Sequence, residues 1–149
     1  MTHAPFTPAA RSAPRISAWL LASAGTLPFF AALADLLFLG KGVIAPVQIY
    51  AAVIASFVCG IHWGAALRAT EGFAVRLLLL SNAVALLAWL AALLPPQPGF
   101  LLLAALFAAL TLVDRHLSDV GLSPPWFWPL RLTISAVVVG LCAAIGLVA

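Results

Sequence analysis

Almost every charged residue in this chain stands at the end of a long apolar run, and very few folds tolerate that spacing. The runs cover about residues 16–39, 47–67, 73–94, 99–117 and 130–149. Only 7% of the residues are charged, whereas an ordinary soluble domain carries about 25%. A soluble fold of this size could not cover its surface with so few charges, so lipid is the solvent for most of it. About 20 apolar residues make a helix that crosses the hydrocarbon layer. An open strand in lipid leaves backbone groups unsatisfied, and the alternation of a barrel strand is absent, so every run reads as a helix. The expected fold is an all-α membrane protein, a bundle of five transmembrane helices without a soluble domain.

The punctuation between the runs sets the organisation. Residues 1–15 are rich in Pro and Ala and read as a flexible N-terminal tail ahead of a five-span domain at 16–149. Arg11 and Arg15 precede the first run as in a signal peptide. That run is longer than the roughly 7–15 residues of a signal core and has no small-x-small site at its end, so an uncleaved first span is expected. Pro28 should kink this span and free the carbonyl of Ala24, with Ser81 and Asn82 as candidate donors. The turn Pro95-Pro96-Gln97-Pro98-Gly99 reads as too proline-dense to be helical. Residues 118–129, with the sequence SPPWFWP inside them, form the last loop. No internal repeat is apparent, which leaves an inverted-repeat transporter without support.

Orientation follows from the basic residues. With five spans, one side holds Arg11, Arg15, Arg68, Arg76, Arg115 and Arg131, and the other holds only Lys41. The positive-inside rule then puts the N-terminus inside and the C-terminus outside. No basic run is interleaved with aromatics, so nucleic acid is not an expected partner. This orientation collects polar residues at the inner face. Residues 50–68, YAAVIASFVCGIHWGAALR, bring Gly60, His62, Trp63, Gly64 and Arg68 there. The fourth run ends there with Asp114, Arg115, His116 and Asp119, and Arg131 opens the fifth. Asp35, beside Lys41, is the exception near the outer face.

Several of these residues also form a pattern. Gly25-x-x-Pro28-Phe29 is followed by Tyr50-x-x-x-Ile54-x-Ser56-Phe57-x-x-Gly60-x-His62-Trp63-Gly64, then by Asp114, Pro125-Trp126 and Leu130-Arg131-Leu132-Thr133. Together they resemble the uncharacterised family that includes transmembrane protein 69, domain of unknown function 3429. The resemblance covers most of the chain after the tail, and the second-span motif is its specific part. It implies a small five-span protein of a bacterial inner membrane, or of the mitochondrial inner membrane in a eukaryote. It implies no activity.

The candidate chemistry centres on His62. A histidine inside a span is costly unless bonded, and such residues mark proton or ligand paths. If the second and fourth spans touch, Asp114 can accept from one ring nitrogen and fix the tautomer. The competing reading is a structural hydrogen bond near the interface. Asp114 and Arg131 can form an ion pair between spans, or Asp114 can join Arg115 and Asp119 in a solvated helix end. Both readings stand at this point. His62 and His116 have no HxxH, HxxxH or ExxH spacing around them, so no metal is expected, and haem is a minor alternative. Gly60 and Gly64 form a GxxxG, for which packing inside the bundle is expected over dimerisation. Trp63, Trp126, Phe127 and Trp128 read as an interfacial aromatic belt, the sharper alternative being a wall around a flat ligand. Cys59 and Cys142 read as small apolar residues.

There is no nucleophile–base pair, phosphate loop, dinucleotide fingerprint or carboxylate pair, so an enzyme is not the favoured reading. The leading expectation is a structural or accessory factor, supporting assembly of an inner-membrane complex. The partners expected are the bilayer and another membrane protein complex, and no cofactor is expected. The first alternative is a small-molecule binding or transport module with a cytoplasmic-side pocket near His62, Trp63, Asp114 and Arg131, with Tyr50 and Ser56 on the same span as His62. The second is a haem or quinone binding protein.

Overall fold

The computed structural model describes residues 13–40 and 42–149. Most of the expected tail, with Arg11, and also Lys41 lie outside the described residues. All regular structure among the described residues is helical. Among the described residues five helices are long and apolar enough to cross a membrane: Pro14–Leu39, Ile44–Ala66, Glu71–Leu93, Pro96–Asp119 and Phe127–Val148. The first is composite, made of α1 (Ala13–Ala24), α2 (Leu27–Ala34) and a π-helical turn, Asp35–Leu39. The others are α3 (Ile44–Ala66), α4 (Glu71–Leu93), α5 (Pro96–Asp119) and α6 (Phe127–Val148). A helix of this size rises about 35 Å, enough for a hydrocarbon core of about 30 Å.

The first span breaks where a kink was expected, and Pro28 is the reason. Proline has no N–H, and its ring collides with the carbonyl four residues earlier. The chain turns at Gly25 and Thr26, so that Pro28 falls in the first turn of α2, where no donor is needed. Thr26 Oγ1 donates to Ser23 O at 2.7 Å. The Tyr50 hydroxyl on α3 donates to Gly25 O at 3.0 Å and ties the break to its neighbour. Ser81 and Asn82 do not reach it, because both donate to Leu78 O on their own helix. The span ends at Gly40, whose left-handed φ of 59° lets its N–H return to Asp35 O. The Asp35 carboxylate accepts from Gly42 N at 3.0 Å and Val43 N at 3.1 Å. Those amides lie just ahead of α3, where a negative charge also complements the helix dipole.

The proline-dense turn is partly helical, contrary to expectation, since α5 starts at Pro96 and takes in Pro98. First-turn amides have no partner within a helix, so prolines there cost nothing. The loss falls on α4 instead. Ala91 O and Leu94 O would accept from positions 95 and 98, and both are proline. Gln48 Nε2 on α3 replaces those donors, at 2.7 Å to Ala91 O and 2.9 Å to Leu94 O. By the same logic Phe127 and Trp128, expected in the last loop, open α6 ahead of Pro129.

Packing is closest between α3 and α4 and between α5 and α6, and α5 also meets α3 and α4. The first span lies against α6 and α3 through α2. Ala51, Ala55, Ala88 and Ala91 are fully buried, as when small residues let helices approach in lipid. Phe29, Phe100, Phe107, Leu103 and Leu110 fill the main core. A smaller cluster of Ala65, Ala66, Leu77 and Leu117 closes the end where α3 meets α4. Between the two lies a layer of charged side chains.

Candidate functional site

Each polar residue of this layer occupies a core position of its helix. On α3 the buried positions run Ala51, Ala55, Val58, Cys59, His62, Ala65 and Ala66, the three- and four-residue spacing of one face. On α5 they run Leu103, Phe107, Leu110, Asp114 and Leu117, and on α6 Arg131, Ser135, Val138 and Cys142. Three helices therefore direct an imidazole, a carboxylate and a guanidinium to one place. His62, Asp114 and Arg131 are 0%, 2% and 9% exposed.

Asp114 is the centre. Its Oδ1 lies 2.9 Å from His62 Nε2, and its Oδ2 accepts from Arg131 Nε at 2.5 Å. A carboxylate can only accept, so Nε2 carries the hydrogen and the tautomer of His62 is set. In the neutral ring Nδ1 is then an acceptor. It has no hydrogen-bond partner among the described residues, and neither do Arg131 Nη2 and Ser135 Oγ. Ser135 follows Arg131 by one turn on the same face of α6. The arrangement sets a guanidinium and an imidazole on one carboxylate and so clamps α3, α5 and α6 together.

The alternative of a solvated helix end applies to different residues. Arg115 donates to Asp119 Oδ2 at 3.1 Å, both side chains being about half exposed, and its guanidinium lies 5.2 Å from the Trp128 ring centre. Trp63 does not join the cluster. It follows His62 by one position, about 100° round the helix, and is 47% exposed. Tyr50 serves the break in the first span and packs edge-on to Phe29 at 5.8 Å. Ser56 faces outward and donates to Ala52 O on its own helix. Gly60 and Gly64 do not pack inside the chain, because a Cβ at either would meet nothing within 4 Å. Close approach is required instead at Gly99, where a Cβ would stand 2.2 Å from Gln48 Nε2. His116 is exposed and edge-on to Phe73 at 5.5 Å, away from the core position that His62 occupies. Among the described residues no group of three His, Cys, Asp or Glu is placed to hold a metal ion.

The residues that sequence reasoning missed are Gln48 and Ser135. For Gln48 a signal existed, since three prolines within residues 95–98 remove donors that some side chain must replace. For Ser135 none did, because an isolated serine in a span reads as neutral.

The pattern of Gly25, Pro28, His62, Asp114 and Arg131 is now seen to hold a helix break and a three-helix charge cluster. The family model described as "Protein of unknown function (DUF3429)" matches residues 14–148. The chain belongs to the DUF3429 family. The match takes in every span of this DUF3429 protein and every residue of the charged layer. No curated protein and no solved structure matches the chain.

Proposed function

We propose that this DUF3429 chain is a structural or accessory protein that supports a complex of the inner membrane. The observation that carries this reading is the engagement of Asp114, bonded on both oxygens by His62 and Arg131. A transport path needs polar groups strung along the crossing. Here the buried ones brace the fold: Asp35 holds the start of α3, and Gln48 holds the end of α4. The inner-side location rests on the arginines, with the N-terminus inside and the C-terminus outside in a bacterial inner membrane. The resemblance of the second-span motif to the family that includes transmembrane protein 69 favours the mitochondrial inner membrane as the counterpart in a eukaryote. The test is extraction from native membranes in mild detergent followed by native mass spectrometry. The chain should emerge in a defined assembly with another membrane protein, and a chain that always emerges alone contradicts the proposal.

A second reading rests on His62 Nδ1, Arg131 Nη2 and Ser135 Oγ, three buried polar atoms without a described partner. Groups of this kind suit a small polar ligand. Under this reading His62→Ala removes binding and leaves the helices folded. Loss of folding in that variant assigns the histidine to structure. A haem or quinone role is tested by the visible absorption spectrum of the purified protein.

A further inference from the structure

An open groove runs between α4 and α5 at the end of the bundle where α3 turns into α4. Its inner part, about 450 Å³, is lined by Leu77, Leu80, Leu112 and Val113 together with Phe73, Arg76 and His116. An adjoining part, about 390 Å³, shares Phe73, Arg76 and His116 and adds Arg68 and Leu122. The lining of both parts holds two arginines and one histidine and no carboxylate. Of the acidic side chains on the two helices, Asp114 is bonded by His62 and Arg131, Asp119 is engaged by Arg115, and Glu71 stands exposed in the first turn of α4 outside the lining.

The residues are graded along the groove. Arg68 lies in the turn before α4, pinned by Nη2 to Leu122 O at 2.9 Å. His116 is held edge-on to Phe73. Arg76 makes no hydrogen bond or ion pair among the described residues, so its guanidinium is available. Leu80 and Leu112 stand one turn deeper than Arg76 and His116, about 6 Å toward the middle of the span. The basic groups thus sit nearer the ends of the two spans and the leucines nearer their middle.

We infer that this groove holds an anionic phospholipid, with its phosphate between Arg68, Arg76 and His116 and one acyl chain along Leu77, Leu80 and Leu112. Paired guanidinium groups favour a headgroup of net negative charge over a zwitterionic one, whose own ammonium offsets the phosphate, and basic pockets between spans are suited to anionic lipid. The site is separate from the buried cluster, whose Asp114 lies on the other side of α5 from His116.

The full chain is placed in nanodiscs of phosphatidylcholine with a minor fraction of phosphatidylglycerol, and the lipids retained on release are counted by native mass spectrometry. Phosphatidylglycerol should be enriched several-fold over its bulk share. Arg76→Gln, which removes no contact of the fold, should bring the ratio to the bulk value without changing the melting temperature. Arg15→Gln removes an exposed charge from the start of the first span, outside the groove, and should keep the enrichment. No enrichment in the wild type, enrichment that survives Arg76→Gln, or equal loss in Arg15→Gln overturns the site.

Discussion

Asp114 sets what each change in the charged layer costs. Asp114→Asn leaves the Arg131 guanidinium buried without its counter-charge. Loss of one partner from a buried pair costs about 3–5 kcal/mol, so this variant should lose most of its stability in thermal unfolding followed in mild detergent. His62→Ala leaves Asp114 Oδ1 without its donor, and about 1–3 kcal/mol should be lost, as for a buried acceptor left unmade. Arg115→Ala should fall within about 0.5 kcal/mol of wild type, since exposed ion pairs contribute little. These three residues were visible in the sequence because ionisable groups stand out in apolar runs. Which of Asp114 and Arg115 turned inward was not visible, because neighbouring positions differ only by their angle round the helix.

At the scale of the element, glycines and an amide separate structure from appearance. Gly60 and Gly64 form the most recognisable packing motif in the sequence, yet both face outward. Gly60→Ala should leave stability unchanged or raise it by about 0.5–1 kcal/mol through helix propensity. Gly99→Ala should destabilise, because its Cβ would displace Gln48 from the end of α4. Gln48→Leu should cost about 1–3 kcal/mol by leaving Ala91 O and Leu94 O without that donor. Circular dichroism melts of the purified variants rank all three. The motif misled for a physical reason. In lipid both faces of a span are apolar, so the pattern that tells inside from outside in a soluble helix is absent. The break at Pro28 was legible because proline acts through its own backbone. The donor that answers it, Tyr50, comes from another helix and was not.

For the whole molecule the number of spans was legible, because crossing lipid is a matter of length and apolarity along one chain. The way the helices gather round α5 was not, because it depends on shape. An odd number of crossings separates the two ends of the chain. A reporter fused after Ala149 should be active on the outer side, and the same reporter at the N-terminus on the inner side. Both on one side would remove the five-span layout. The central claim is that Asp114 and Arg131 hold α5 and α6 together as one unit. A double-mutant cycle tests it most directly, with unfolding free energies of wild type, Asp114→Asn, Arg131→Gln and the double variant measured in the same micelles. The account predicts that the double variant is no worse than the poorer single, with a coupling of at least about 1.5 kcal/mol. Additive losses, agreeing within about 0.5 kcal/mol, would contradict it.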